Sequence, residues 1–257
     1  MIEIKNALLN INGKTILDVD ATIDNNSVIL GPNGAGKTSL LKAIVGLYKV
    51  NKGKILVNGV DVTKEKKENL LSTNLESVYH LGSLNIAQTY SVYSKAFNCS
   101  KDADKLYTLV KPKGDTLSRL STGERKWFTT VLALFASSEV TLLDEPFEDL
   151  DPALVKSLVN AVTSVKGKQL LITLHSIHLL KYFKDWDLFF MFNGKLYGKA
   201  KVGEVLDSCI IEGDKENSVL KINVGGVTYS IVKGNCEGGI SLKEINNLDI
   251  LYIREEI

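Results

Sequence analysis

What this sequence lacks narrows it before any motif is read. No apolar run approaches the length of a bilayer. The longest, such as Leu188-Phe189-Phe190-Met191-Phe192, falls far short of the roughly 20 residues a spanning helix needs. Glu3 and Lys5 interrupt the first residues, so the start does not read as a secretory signal. Charge of one sign is not in excess: 31 Lys and Arg face 30 Asp and Glu, a formal net charge of +1. That balance predicts no field strong enough to gather nucleic acid or anionic lipid. Cysteine is scarce. Cys99, Cys209 and Cys236 lie far apart and form no metal-spaced pair, and an odd count without a framework suits a reducing cytoplasm. No internal repeat or low-complexity segment occurs. The remainder is ordinary for a soluble globular protein: 257 residues, 44% hydrophobic and 24% charged, one large or two small domains. Any membrane role would need a separate partner.

The stretch around which the chain is organised is Gly31-Pro32-Asn33-Gly34-Ala35-Gly36-Lys37-Thr38, followed by Ser39. It fits G-x-x-x-x-G-K-[S/T], the loop that cradles phosphates. Ser27-Val28-Ile29-Leu30 before it reads as a buried strand. Leu40, Leu41, Ile44, Val45 and Leu47 after it recur at helical spacing, with Gly46 near the end. Glycines let the loop curl so that backbone N–H groups point inward, and the helix N-terminus adds partial positive charge. Lys37 would reach the β- and γ-phosphates, and the Thr38 hydroxyl would hold Mg²⁺.

Three Asn-Gly pairs, Asn12-Gly13, Asn58-Gly59 and Asn193-Gly194, each separate two short apolar segments and predict hairpins. Antiparallel sheet is therefore expected beside a parallel α/β core. Residues 64–118 read as a mostly helical insertion, with weak helical patterns over Asn85–Phe97 and Asp102–Val110. Val140–Leu143 is a continuous apolar strand, as expected when both faces are covered. Asp151-Pro152 opens a helix as N-cap and first helical residue, with Val155, Leu158, Val162 and Val165 as its stripe. Leu170–Leu174 is the next strand. In the tail, Ser218–Val224, Gly225-Gly226 and Val227–Val232 predict a hairpin. Ser241-Leu242-Lys243-Glu244 predicts a capping box for a short helix, and Ile250–Ile253 a last strand.

Two further constellations carry chemistry. Val140-Thr141-Leu142-Leu143-Asp144-Glu145-Pro146 delivers two carboxylates from the end of a buried strand. Asp144 would orient Mg²⁺, and Glu145 would polarise an attacking water as general base. Leu120-Ser121-Thr122-Gly123-Glu124 precedes a predicted helix from Arg125 onward. Ser121 with Glu124 three residues on is a capping box, and a capped N-terminus is also an anion site.

Together these segments resemble the ATP-binding cassette (ABC) ATPases, in order, across roughly residues 1–205. The family's usual signature is Leu-Ser-Gly-Gly-Gln. Ser121 and Gly123 stand where that loop closes on the γ-phosphate of ATP held by the opposite subunit. Glu148-Asp149-Leu150-Asp151 resembles the D-loop, with Asp151 at the subunit junction. Ile172-Thr173-Leu174-His175 resembles the switch histidine, so His175 would contact the γ-phosphate; His178 reads as a surface residue. The resemblance implies an α/β fold of P-loop NTPase type. Its parts are a mixed sheet core with an antiparallel β subdomain, a helical subdomain at about 78–120 within an ATPase domain 1–206, and a small α+β extension at 207–257.

Three departures stand out. The family's Q-loop glutamine, which helps ligate Mg²⁺ and senses the membrane partner, falls on His80, with Gln88 as the competing position. The adenine-stacking aromatic falls near Ile11, which implies modest nucleotide affinity and base selectivity. Thr122 and Glu124 replace Gly and Gln, and Glu124 places a negative charge by a phosphate site, a brake on dimer closure. Lys37, Asp144, Glu145 and His175 all remain. The expectation is an active ATPase, with cofactors ATP and Mg²⁺, that pairs with itself or a paralogue and drives a separate transmembrane permease from the cytoplasmic face. No direct nucleic-acid partner is expected. The alternatives are a soluble non-transport ABC ATPase, against which stand the single cassette and the missing coiled-coil insertions, and a weakly hydrolysing regulatory module.

Overall fold

In a computed structural model of the chain, described for residues 1–65, 67–79, 84–109, 116–234 and 237–253, the architecture is α/β with parallel and antiparallel strands. The chain opens with β1 (Ile2–Ile11) and β2 (Lys14–Ile23), an antiparallel hairpin whose turn residues Asn12 and Gly13 sit at φ 51 and 77. Two successive positive φ angles match the right-handed twist of the strands, which is why Asn-Gly is used there. β3 (Ser27–Leu30) is buried along its whole length and leads into α1 (Lys37–Ile44). That helix ends earlier than the apolar spacing implied. Gly46, at φ 75, turns the chain so that the Leu47 N–H reaches the Lys42 carbonyl, leaving the Leu47 side chain exposed. This is a glycine helix stop. β4 (Lys52–Val57) and β5 (Val60–Asp61) form the second Asn-Gly hairpin, and the sheet order is β2-β1-β4-β5.

Residues Lys66–Ile172 form one compact unit. It begins with β6 (Leu71–Thr73), a strand inside the span expected to be helical, paired parallel to β7 (Val140–Asp144). Between them lie α2 (Ile86–Ala96), α3 (Asp102–Tyr107) and α4 (Thr122–Phe135). Aromatic rings join these helices: Tyr90 stacks on Tyr107 at 3.9 Å, and both meet Phe128 edge-on. The Trp127 indole N–H donates to the Leu106 carbonyl at 3.0 Å, fastening α4 to α3. α5 (Pro152–Ser164) follows, with Leu158, Val159 and Val162 buried and Val155 and Val165 only half-buried. β8 (Gln169–Leu174) starts in this unit and ends in the other.

Met1–Glu65 and Thr173–Ile257 form the second unit. Here β9 (Asp187–Phe192) is buried throughout, pairs parallel to β3, and is joined by the third Asn-Gly turn to antiparallel β10 (Lys195–Lys201). After α6 (Val202–Leu206) comes an antiparallel sheet of order β12-β13-β11-β14, built from β11 (Ser208–Glu212), β12 (Ser218–Val224), β13 (Val227–Lys233) and β14 (Ile240–Ser241). The Gly225-Gly226 hairpin forms as expected. Two tail expectations fail. Ser241 pairs with Cys209 as part of β14, so its capping pattern closes only a turn. Ile250–Ile253 is the helical turn α7, not a strand. Among the described residues no helix is long and apolar enough to cross a membrane.

Candidate functional site

In the unit that holds β3, the strand ends at Leu30 and the loop begins under steric constraint. A Cβ on Gly31 would collide with the Met191 carbonyl oxygen, so only glycine lets the chain pass. The Gly31 N–H donates to the Leu174 carbonyl at 3.2 Å. His175, half-buried, therefore leaves β8 beside the point where the loop leaves β3. Gly34 and Gly36 take φ 78 and 107, and the Ala35 N–H closes on the Pro32 carbonyl at 3.3 Å. Asn33 and Gly34 are exposed at the tip, whereas Ala35 is buried.

Lys37, only 4% exposed, turns its ammonium back into the loop and donates to the Gly31 and Pro32 carbonyls at 2.7 and 2.9 Å. A buried cation must be bonded. These carbonyls satisfy it while phosphate oxygens could take over its N–H groups. α1 starts at Lys37 with Gly36 as N-cap, no side chain caps it, and no acidic residue lies in its first turn. Its partial positive charge is thus left for an anion. Thr38 and Ser39, both half-buried, bring hydroxyls to the same turn.

In the Lys66–Ile172 unit the second group of residues is built on β7. Asp144 ends this buried strand at 8% exposure, and its peptide is clamped on both sides by one side chain. The Asp144 N–H donates to Asn74 Oδ1 at 2.6 Å, and Asn74 Nδ2 donates to the Asp144 carbonyl at 3.1 Å. Lys126, from α4, donates to that same carbonyl at 3.1 Å. Glu145 follows at φ 44, a left-handed conformation that turns its carboxylate off the strand line. The Glu148 N–H closes the turn on the Glu145 carbonyl at 3.2 Å. The two carboxyl groups face each other, and the hydrogen bond to Glu145, with burial second, pushes Glu148 up to about 7. Such a bond requires one of the pair to hold a proton.

Further along, Asp151 caps α5, accepting from the Ala153 and Leu154 N–H groups at 3.0 and 3.1 Å, while remaining exposed. Ser121 caps α4. Its N–H donates to Glu124 Oε2 at 2.9 Å, its hydroxyl to the same oxygen at 2.8 Å, and the Glu124 N–H returns to Ser121 Oγ at 3.3 Å. A Cβ on Gly123 would strike the Asp149 carbonyl oxygen, so this glycine permits the α4 N-terminus to lie against the turn after Glu145.

Every predicted residue except His80 can be placed on this frame. Gly31 through Ser39, with Lys37 and Thr38, share one loop and helix start, and His175 emerges beside it. Asp144, Glu145, Ser121, Gly123 and Asp151 lie in the other unit. His80 falls outside the described residues. Gln88 is committed elsewhere: its Oε1 accepts the Asn85 N–H at 3.1 Å in the cap of α2. His178 is exposed, as expected. Ile11 is half-buried at the end of β1. The sequence reading passed over Asn74, Lys126 and Glu76, and took in Glu148 only as part of the segment resembling the D-loop. Glu76, two residues after Asn74, lies 3.8 Å from Arg125 Nε on α4. Glu76 comes three residues after the end of β6, a strand of three residues, too short for a sequence period to mark. Of the donors proposed for Mg²⁺, Thr38 and Asp144 offer hydroxyl and carboxylate oxygens, the hard ligands that cation takes.

A family model described as ABC transporter matches residues 16–148. The chain is 31% identical over 190 residues to the uncharacterized ABC transporter ATP-binding protein YhcH of Bacillus subtilis. That alignment covers 70% of this chain and 62% of YhcH, so the chain spans about three fifths of that relative. It is 30% identical over 183 residues to the lipopolysaccharide export system ATP-binding protein LptB of Haemophilus influenzae, covering 64% of this chain and 75% of LptB. Among solved structures, a cbiO-2 ATP-binding protein superposes with a TM-score of 0.86 at 29% identity, covering 98% of this chain and 99% of its own.

Proposed function

The chain belongs to the ABC transporter family, and from that premise we propose that it is an ATP-hydrolysing subunit that closes with a second cassette around two ATP molecules and drives a separate membrane permease. The observation that carries the reading is the Lys37 ammonium, buried and held by loop carbonyls at the uncapped start of α1. That arrangement is ready to exchange carbonyl partners for phosphate oxygens.

In this reading the N–H groups of Gly34 through Ser39 and the Lys37 ammonium bind the β- and γ-phosphates. Thr38 would hold Mg²⁺ and Asp144 would orient it through water, and the ion would supply positive charge beside the phosphate oxygens. Glu145 accepts a proton from the attacking water, and His175 orients that water against the γ-phosphate. The Asn74 clamp and Lys126 fix the backbone from which Asp144 and Glu145 project. Ser121 and Gly123 present the α4 N-terminus to the γ-phosphate of a nucleotide held by the second cassette, and Asp151 lines that junction. Residues 1–206 form the ATPase domain, with 207–257 an extension, and the protein works at the inner face of the cell membrane through its permease.

The test is steady-state ATP hydrolysis with Mg²⁺. Glu145→Gln is expected to lower kcat at least about a hundredfold, within the range general bases supply, and to trap an ATP-dependent dimer on gel filtration. Lys37→Ala is expected to weaken Mg·ATP binding at least about tenfold. Turnover that is indifferent to both changes would overturn the assignment, and binding without any turnover would make the protein a regulatory module.

A further inference from the structure

The start of α4 already has an anion on it. The Glu124 carboxylate accepts both the N–H and the hydroxyl of Ser121, at 2.9 and 2.8 Å, through a single oxygen, Oε2. The Ser121 hydroxyl has one proton to donate, and that proton is committed to Glu124. The carboxylate also lies where the α4 dipole is most positive, since α4 runs for 14 residues and begins one residue after Ser121. Gly123 keeps this N-terminus tight against the Asp149 carbonyl oxygen, which restricts how far the first turn can shift to make room.

We infer that Glu124 is an internal competitor for the terminal phosphate, a tethered carboxylate that must swing off Ser121 before the partner's ATP can take its place. The inference rests on the closure reading above and assigns the regulation of that same site. Its physical content is a charge exchange. As a γ-phosphate approaches, two anions meet at one helix end, and the Ser121 proton can serve only one of them. Closure is then set to require more ATP than an uncharged residue at position 124 would demand. The opposition weakens with added salt, because it is electrostatic and partly exposed.

Glutamine separates the charge from the fold. In the Glu124→Gln variant the side-chain amide oxygen can still accept the Ser121 N–H, so the capping box survives. The amide N–H groups of the same side chain can donate to Ser121 Oγ, which releases the hydroxyl proton. The experiment uses the full chain carrying Glu145→Gln, titrated with Mg·ATP and followed by light scattering on gel filtration. Adding Glu124→Gln should lower the ATP concentration for half-maximal dimer about tenfold, with thermal stability unchanged. Glu124→Ala should lower it too, while reducing thermal stability through loss of the cap. The Glu124→Gln advantage should shrink between low and high salt.

If both double variants dimerise at the ATP concentration of the Glu145→Gln parent, or at a higher one, Glu124 is a structural cap and nothing more. If the parent stays monomeric while binding ATP, the closure reading itself has failed, and the inference falls with it.

Discussion

Glu148 keeps a proton near neutrality on a half-buried turn because the Glu145 carboxylate accepts it, and because burial and the Asp149 charge disfavour a second anion; Lys126 opposes this from α4. The consequence for stability has a definite sign. In the unfolded chain Glu148 loses its proton near its ordinary value of 4.5, whereas in the folded protein it does so only near 7. Between these values the folded state binds more protons than the unfolded one, so stability falls as pH rises through that window. The contribution is fully present below pH 4.5 and gone above 7. Glu148→Gln removes the titration while keeping a hydrogen-bond donor to Glu145. The melting temperature of wild type minus that of Glu148→Gln should therefore decrease from pH 5 to pH 8. A difference that is flat with pH would show that Glu148 titrates as an ordinary exposed carboxyl.

Helix starts are where local chemistry decides most. Asp151 satisfies two N–H groups of α5, so Asp151→Ala should cost about 1 kcal/mol. In a chain of this size that corresponds to roughly 2–4 °C in melting temperature, checked by circular dichroism. Such caps were legible in the sequence because cap and helix are contiguous. So were the three Asn-Gly hairpins, whose turn residues take the left-handed angles that pair supplies, and the phosphate loop, whose glycines are fixed by spacing. What the sequence hid was tertiary. β6 is three residues, Leu71, Ser72 and Thr73, too short for a period to show. Ile250–Ile253 is an apolar run that periodicity assigns to neither strand nor helix. Ser241 carries a sound capping pattern, but the ladder with β11 claimed it for a strand. At the site, the Asn74 clamp on Asp144 joins residues 70 apart in sequence, and nothing local announces it.

Taken whole, the chain carries almost no net charge, +1 over 257 residues. It should show no useful affinity for nucleic acid. Fluorescence anisotropy with a labelled DNA duplex at physiological salt is expected to give binding no tighter than about 10⁻⁵ M, the range of sequence-independent contacts. Tighter binding would reopen a soluble role on nucleic acid. Within Lys66–Ile172, the Asn74 amide acts as a rivet. It pins the peptide that carries the Asp144 carboxylate to the segment running from β6 toward Tyr79, and Tyr79 in turn anchors its hydroxyl on the Thr73 carbonyl at 2.7 Å. A load applied to that segment bears on these hydrogen bonds. It is delivered, bond by bond, to the strand end from which hydrolysis would be run.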